Sequence, residues 1–399
     1  MVVNRVSSRV SRYASSTKPL HRAPSGRTTQ SITLCFMKLA RLLPAVVALL
    51  GALLPAQTAS APAAAPIPVK VVVIAMFEQG QDTGDKPGEL QYWVERDHLD
   101  HVYPLAAGFH PVRMNDQGEM AVLTGAGTAH AAATIMALGL DPRFDFKHTY
   151  WIVAGIAGGS PDRISLGSAA WARYVVDADL AYEIDGREIP KDWSTGLLPL
   201  GKTVPFEQPA DSRPGQLYAL SAGLAEWAYD LTRNVKLDDS DKLREARSHF
   251  DGAAANKPPF VMLGDEVSSS TFWHGKLMDQ WATEWMRYFT EGKGEFATTA
   301  MEDTGTLQSL AFLSSAGRID HHRILVLRTV SNYDRQPREL TAAESLAREK
   351  LGTYSGFMNA LEADYRVGHV VVEELLKNWD RYGEMSPNMQ CKHMRCHED

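Results

Sequence analysis

The 399-residue sequence is poor in cysteine and in long apolar runs. It has three cysteines, and one of them, Cys35, lies near the start. This excludes a disulfide scaffold and a zinc site built from four cysteines. After Leu54, no apolar run approaches the roughly 20 residues that a membrane-spanning helix requires. We therefore expect a globular chain whose mature part is soluble.

Acidic residues are absent from the start of the chain, where the first one is Glu78. Eight of the 41 basic residues lie before residue 62, so the remainder carries 33 basic residues against 48 acidic ones. Nucleic-acid binding depends on clustered Lys and Arg that neutralise phosphates. A body with this acidic excess is not expected to bind nucleic acid.

The basic front end has the features of a secretory signal that starts at Met37. Lys38 and Arg41 precede an apolar stretch, residues 42–54, and Ala59-Ser60-Ala61 fits a small-x-small cleavage site. The sequence predicts a protein exported to a periplasm or secreted. Membrane association is expected only if the signal is not cleaved.

The domain boundaries follow from these features and from composition. A segment rich in Pro, Asp, Lys and Gly interrupts the main domain and lacks a strand set of its own, so we interpret it as a long insertion. The predicted segments are 1–36 (an upstream false start or a transit-like segment), 37–61 (the signal peptide), 62–68 (a linker), 69–385 (one domain, with the insertion at about 186–258) and 386–399 (a tail).

Strand and helix patterns alternate along the main domain. The β patterns cover residues 69–75, 120–124, 149–154, 168–176, 259–263 and 323–330. Helical patterns cover residues 128–138, 215–231, 274–290, 303–315 and most of 341–379. This alternation predicts an α/β fold with a mostly parallel mixed sheet flanked by helices.

Several predicted strands end in polar or glycine-rich segments. These segments are 78–80, 124–127, 155–159, 264–266 and 331–334. Ligands of α/β proteins bind at the carboxyl ends of strands, where glycine turns expose backbone N–H groups. Glycine turns also permit close helix packing, so they do not identify a site by themselves.

Four segments, in this order, resemble the nucleoside phosphorylase and nucleosidase superfamily. They are AVLTGAGTAHAAAT (121–134), IVAGIAGGSPDRISLGSAAWARYVVDAD (152–179), Met301-Glu302 and VLRTVSNYD (326–334). Within this superfamily the chain resembles the purine nucleoside permease family, which shares its long insertion and exported form. The resemblance implies a nucleoside phosphorylase-like fold and a purine nucleoside as ligand.

The resemblance also implies roles for individual residues. Met301 and Glu302 occupy the place of the pair that binds ribose, and a carboxylate suits the two donors of a vicinal diol. Asn332 stands where the superfamily places the residue that bonds purine N7. Asp334 could act as the general acid instead, or it is a solvated turn residue beside Arg335. The alternative for Glu302 is an acid favoured by a helix N-terminus.

Further site residues follow from the strand ends. Glu78 is the nearest match to the superfamily's water-activating acid, and a surface acid at a strand end is the alternative. Phe272 follows a turn where the superfamily places an aromatic ring over the ligand, although such aromatics also build cores. Gly125, Gly155 and Ile156, in the two glycine turns, are the remaining candidates for substrate binding.

The chain departs from the phosphorylases at the phosphate site. They keep an Arg before the Gly-x-x-Gly turn, and this chain has Val153-Ala154 there. Inorganic phosphate as a co-substrate would rest on backbone amides unless Arg328 or His130 supplies charge.

Two functions therefore remain open. The first is an exported protein that binds nucleosides for uptake or salvage and passes them to an inner-membrane transport partner. The second is an enzyme that cleaves the N-glycosidic bond by water or, with less support, by phosphate. Relatives complete their sites from a neighbouring subunit, which implies a homo-oligomer. No cofactor or metal is expected, and Cys391 and Cys396 in the tail either pair or lie in a frayed end.

Overall fold

The computed structural model describes residues 64–387, except residues 211, 212, 351 and 353. The predicted signal peptide, the segment before it and the two tail cysteines lie outside the described residues. Of the helices in this described part, none is both long and apolar enough to cross a membrane.

The described residues alternate between strands and helices, as the sequence predicted. The strands are β1 (Ile67–Pro68), β2 (Val71–Ala75), β3 (His101–Tyr103), β4 (Val112–Met114), β5 (Glu119–Leu123), β6 (Phe144–Asp145), β7 (Tyr150–Gly159), β8 (Ala169–Trp171), β9 (Tyr174–Asp177), β10 (Ala181–Glu183), β11 (Leu197–Pro199), β12 (Leu217–Ala219), β13 (Val261–Leu263), β14 (Asp265–Ser268), β15 (Phe296–Ala300) and β16 (Ile324–Tyr333). The helices are α1 (Gln91–Arg96), α2 (Thr128–Gly139), α3 (Ala222–Thr232), α4 (Asp241–Ser248), α5 (Lys276–Phe289), α6 (Asp303–Ser315), α7 (Ala342–Leu346), α8 (Phe357–Lys377) and α9 (Trp379–Tyr382), and a short 3₁₀ helix covers His321–Arg323.

A mixed sheet of twelve strands organises the fold, in the order β12-β9-β14-β15-β7-β2-β5-β4-β3 with β16, β8 and β13 branching from β7. Strand β7 pairs in parallel with both β2 and β16. Its last two residues, Gly158 and Gly159, also pair antiparallel with β15. The two ten-residue strands β7 and β16 therefore extend from the centre of the sheet to the edge where β2, β7, β15 and β16 end.

Helices cover both faces of this sheet, because successive strand residues point to opposite sides. Val71 and Val73 of β2 belong to a core shared with α1, α3 and α8. Val72 and Ile74 belong to a second core shared with α2 and α6. The predicted α/β class, with a sheet flanked by helices, is confirmed by this arrangement.

Part of the insertion predicted at 186–258 joins the main sheet, while its strand β11 pairs with β10 in a separate two-stranded sheet. Strand β12 pairs antiparallel with β9, and α3 places Leu224, Ala225 and Ala228 in the core next to α8. The helical pattern at 215–231 consequently begins as a strand, and its helix starts only at Ala222. The pattern at 168–176 likewise divides into β8 and β9.

Helices α2 and α6 touch at their N-termini through a glycine. A Cβ atom on Gly305 would lie 2.1 Å from the carbonyl oxygen of Thr128. This oxygen belongs to the backbone, so it cannot move without shifting α2. The absence of a side chain at Gly305 therefore fixes how closely α6 approaches α2.

We expect Gly305→Ala to lower the free energy of unfolding by about 1–3 kcal/mol, because overpacking must push the two helices apart. Urea unfolding followed by circular dichroism measures this change. Gly186→Ala is the matched control, since a Cβ at Gly186 meets nothing within 4 Å. Equal stability of the two variants would contradict the close contact.

Candidate functional site

A cavity of about 360 Å³ lies where β2, β7, β15 and β16 end. Its walls combine aromatic and small apolar residues with three acids and one amide. The lining residues are Met76, Phe77, Glu89, Ala126, Ile156, Ala157, Gly158, Thr271, Phe272, Trp273, Thr299, Ala300, Met301, Glu302, Ser331, Asn332, Asp334 and Tyr354. The size falls at the lower end of the roughly 300–1,000 Å³ range of small-molecule pockets.

Arg328 of β16 joins the elements beneath the cavity. Its guanidinium is fully buried and binds the carboxylate of Asp303 in a bidentate manner, with N···O distances of 2.9 and 2.6 Å. It also donates to the carbonyl oxygen of Ile156 at 3.2 Å. Through these bonds one side chain ties β16 to α6 and to β7.

Two further acids lie beside the Arg328–Asp303 pair. An oxygen of Glu266 is 3.4 Å from Nε of Arg328, and an oxygen of Glu302 is 3.6 Å from Nη2. Burial raises the pKa of Glu266 well above its ordinary value, and the charge of Asp303 raises it further. For Asp303, burial is outweighed by Arg328 and the hydrogen bond from Glu266, so its pKa is lowered. Of these two neighbouring carboxyl groups, Glu266 therefore holds a proton more strongly than Asp303.

Glu302 stands at the junction of β15 and α6 with its carboxylate at the cavity wall. It accepts the backbone N–H of Gly127 at 3.1 Å through one oxygen and that of Met301 at 3.2 Å through the other. Burial raises the pKa of Glu302, and Arg328 offsets part of that rise. The glycine turn before α2 thus holds Glu302 in place, with lone pairs left for a ligand.

Glu89 occupies another wall and was not among the sequence candidates. Its two oxygens accept the backbone N–H groups of Met76 and Ile156, each at 2.7 Å. Burial raises the pKa of Glu89 well above its ordinary value, and Arg328 offsets part of this rise. A proton acceptor with a raised pKa in a cavity is typical of functional sites.

Glu78, the expected water-activating acid, does not line the cavity. Its carboxylate accepts the backbone N–H groups of Gln79, Gly88, Leu90 and Gln91, at the start of α1. These bonds orient the turn that carries Glu89. Glu89 and not Glu78 therefore presents its carboxylate to the cavity, and Glu78 positions the segment that carries Glu89.

Asn332 lies near the end of β16 and Asp334 directly follows that strand, and both line the cavity. The amide oxygen of Asn332 accepts the hydroxyl of Ser331 at 2.8 Å, while its Nδ2 makes only a long contact of 3.4 Å. The amide therefore offers its N–H₂ group to a ligand. Asp334 is fully buried, so it is not the solvated turn residue that the sequence also allowed.

Gly125 and Gly155, the latter inside strand β7, contribute space rather than lining atoms. Gly125 has a φ of 83°, and a Cβ there would meet the ring of Phe109 at 2.7 Å. A Cβ on Gly155 would lie 2.5 Å from the carboxylate of Glu89. Their neighbours, Ala126 and Ile156, form the actual wall.

The fold brings six sequence candidates to one cavity: Ile156, Phe272, Met301, Glu302, Asn332 and Asp334. Gly125 and Gly155 lie directly behind it, and Glu78 is separated from it by its turn. The sequence analysis missed Glu89 and Tyr354. A signal for Glu89 did exist, because it follows Pro87-Gly88 and directly precedes a helix with an apolar face.

None of the described lining residues is Lys, Arg or His. Arg328 is committed to Asp303 and Ile156, and exposed His130 bonds the carbonyl oxygen of Ala126 at 2.8 Å. Neither of these two candidates supplies a free cation to the cavity. The walls therefore offer no charged partner for an anion such as phosphate.

One surface group in the described part of the chain has metal-ligand geometry. Ligand atoms of Asp320, His321 and His322 lie within 4.8 Å of one another. Asp320 also bonds Arg323 at 3.3 Å, and none of the three lines the cavity. The group does not belong to the candidate site.

The family model described as purine nucleoside permease (NUP) matches residues 68–387. A probable purine nucleoside permease of Schizosaccharomyces pombe is 30% identical over 293 residues, which cover 70% of this chain and 81% of the relative. A purine nucleoside permease of Candida albicans is 27% identical over 327 residues, which cover 81% of this chain and 79% of the relative.

Solved structures with a related arrangement are more distant. A 5′-methylthioadenosine/S-adenosylhomocysteine nucleosidase from Neisseria meningitidis is 17% identical with a TM-score of 0.45, covering 77% of this chain and 99% of its own. A futalosine hydrolase of Helicobacter pylori is 13% identical with a TM-score of 0.47. The match covers 77% of this chain and 98% of the hydrolase.

We expect Arg328→Met to lower the free energy of unfolding by about 3–5 kcal/mol, because it leaves ionised Asp303 buried without its partner. Chemical unfolding of the purified variant measures the loss. Arg187→Met is the control, since Arg187 forms an exposed pair with Asp185 and its replacement should leave stability unchanged. A small loss for Arg328→Met would contradict the central role of this guanidinium.

Proposed function

Because the chain belongs to the purine nucleoside permease family, we propose that its cavity binds a purine nucleoside and that this binding serves nucleoside transport or salvage. The observation that carries the proposal is that one cavity brings together polar side chains from two strand ends. Glu302 follows β15, while Asn332 and Asp334 stand at the end of β16. A nucleoside has a diol and a base with ring nitrogens, and these side chains can form hydrogen bonds with both.

Glu302 supports recognition of the sugar. An ionised carboxylate accepts two hydrogen bonds in the geometry that neighbouring hydroxyl groups present. The N–H groups of Gly127 and Met301 fix its orientation before a ligand arrives. A pre-organised acceptor of this kind binds a diol without the cost of ordering a mobile side chain.

The apolar walls support recognition of a flat base. Phe272, Trp273 and Tyr354 line the cavity together with Ile156 and Met301. Aromatic rings stack on the face of any nucleobase, whichever polar groups the base carries. The Asn332 amide then adds a directed hydrogen bond to the edge of the base.

The charge of the walls favours nucleosides over nucleotides. Glu89, Glu302 and Asp334 contribute three carboxyl groups, and the described lining contains no cation. A phosphate group would lose its hydration without gaining a charged partner. The same argument weakens phosphorolysis, since inorganic phosphate would meet the same walls.

The cellular setting is part of the proposal. The signal-like residues 37–61 support export to a periplasm or secretion, and delivery to an inner-membrane partner would link binding to uptake. Detection of the mature protein in periplasmic or culture fractions, starting after residue 61, tests this point. A chain retained in the cytosol with residues 37–61 intact would overturn it.

Replacing Glu302 by Ala should weaken guanosine binding at least tenfold, because the charge-assisted hydrogen bonds to the ribose are lost. Isothermal titration calorimetry of the purified protein measures the dissociation constant. Glu295→Ala is the control, since Glu295 is an exposed acid that forms an ion pair with Arg163 outside the cavity.

Guanosine 5′-monophosphate provides the matched ligand for the same titration. We expect it to bind more weakly than guanosine to the unmodified protein, because its phosphate meets only acids. Unchanged guanosine affinity in the Glu302→Ala variant would show that ribose does not bind at Glu302. Tighter binding of the nucleotide would contradict the charge argument.

Glu89 favours a second function, hydrolysis of the N-glycosidic bond. A buried carboxyl with a raised pKa beside the ribose site can take a proton from an attacking water. The departing base then needs a donor, which Asn332 or Asp334 could supply. This enzyme would use water and not phosphate as the nucleophile.

Incubating the protein with inosine, guanosine and adenosine, with and without phosphate, separates the two functions. For the hydrolase we expect free base to be released at the same rate without phosphate, and Glu89→Gln to lower that rate at least a hundredfold. Chromatography of the base is the measurement. Tight nucleoside binding without any release would leave the binding function alone.

A further inference from the structure

The turn that leads into β16 carries three metal-ligating side chains, Asp320, His321 and His322. One ligand atom from each of them lies within 4.8 Å of the other two. The turn stands at the amino end of β16, whereas the cavity lies at the carboxyl end of that strand. The group is therefore separate from the nucleoside site.

Asp320 is oriented by hydrogen bonds from its own turn. It precedes the short 3₁₀ helix, and its Oδ1 accepts the backbone N–H of His322 at 2.9 Å. Its Oδ2 accepts Nε of Arg323 at 3.3 Å. A carboxylate oxygen has two acceptor sites, so each of these oxygens keeps one for a metal ion.

Arg323 anchors this carboxylate to the body of the protein. The arginine is buried, and its guanidinium donates to the carbonyl oxygens of Tyr382 at 2.7 Å, Gly383 at 3.0 Å and His148 at 3.2 Å. Asp320 thus has a fixed support. Because Arg323 also offsets part of the negative charge of Asp320, the affinity for a metal must come mainly from the two imidazoles.

The imidazole rings of His321 and His322 are close neighbours. Their centroids are 3.8 Å apart, and both residues are exposed, so the rings can turn toward a shared ion. Nδ1 of His321 contacts the hydroxyl oxygen of Ser314 in α6 at 3.3 Å. A metal-bound imidazole commonly bonds a neighbour through its second nitrogen, so Ser314 can orient the ring while Nε2 binds the metal.

The spacing of the three ligand atoms is close to that of a zinc site. With bonds of about 2.0–2.1 Å in tetrahedral geometry, the ligand atoms of zinc stand about 3.3 Å from one another. Rotation of the two exposed side chains closes the difference from the spacing found here, and the backbone of the turn need not move.

We propose that Asp320, His321 and His322 bind one zinc ion through a carboxylate oxygen and two imidazole nitrogens. Water completes the tetrahedron, because the group is open to solvent. Zinc suits this set of donors, whereas Mg²⁺ and Ca²⁺ take oxygen ligands. The ion would hold the turn between α6 and β16.

Calorimetric titration of the full chain with zinc chloride tests the proposal. The protein carries no affinity tag and is first freed of metal with EDTA. We expect a zinc site in the micromolar range in the unmodified protein. His321→Ala and His322→Ala should each weaken it at least tenfold, because each removes one of only three protein ligands. Both residues are exposed, so these substitutions leave the fold intact.

His101→Ala is the matched control. His101 is an exposed histidine that pairs with one carboxylate, Asp116, at 2.8 Å and has no second imidazole beside it in the described structure. Zinc binding in this variant should equal that of the unmodified protein. Magnesium chloride and calcium chloride are the matched ligands, and we expect neither to displace zinc from the site.

The tail of the chain, outside the described residues, holds cysteines and histidines that also bind zinc in proteins. A second variant removes these side chains by the substitutions Cys391→Ser, His393→Ala, Cys396→Ser and His397→Ala. We expect the micromolar site to persist in this variant. X-ray absorption at the zinc edge should then show nitrogen and oxygen donors at about 2.0–2.1 Å and no sulfur at about 2.3 Å.

Three results would each overturn the inference. They are zinc binding only in the millimolar range, full affinity in both His321→Ala and His322→Ala, and loss of the micromolar site in the tail variant. None of these measurements uses a nucleoside, so the zinc site and the proposed function stand or fall separately.

Discussion

The candidate site depends on one buried positive charge. Arg328 sits among Asp303, Glu266, Glu302 and Glu89, so a single guanidinium partly compensates four carboxyl groups. An ion pair removed from water gains little stability on its own, but breaking it leaves a charge that the interior cannot solvate. The same bonds align β7, β16 and α6, the elements from which the cavity is built. The bonds of Arg328 therefore both compensate the buried carboxyl groups and hold the cavity-forming elements in place.

The sheet and its main helices could be predicted because their signals are local. Helix α6 has the bounds that its pattern indicated, and the buried runs of β2, β7 and β16 were recognised from their apolar residues. Short strands such as β14 and β12 escaped, since three or four residues carry too little periodicity. Their existence depends on pairing with β9, which is distant in sequence.

Site residues could be predicted where their motif lies at one strand end. They were harder to predict where contacts between distant parts of the chain determine which side chain faces the cavity. Glu302, Asn332 and Asp334 each lie within two residues of the carboxyl end of a strand, so their place at the sheet edge could be expected. Glu78 and Glu89 are eleven positions apart, and only the backbone N–H groups at the start of α1 decide which of them faces the cavity.

The close contact at Gly305 has a consequence for how a ligand reaches its place. Since α2 and α6 are in close contact at their N-termini, Gly127 and Glu302 form a fixed part of the cavity lining and its support. Phe272, which is 41% exposed, and half-buried Tyr354 are the aromatic lining residues nearer to solvent. A nucleoside bound as proposed would therefore enter and leave past these two rings, while the part of the cavity around Glu302 keeps its shape.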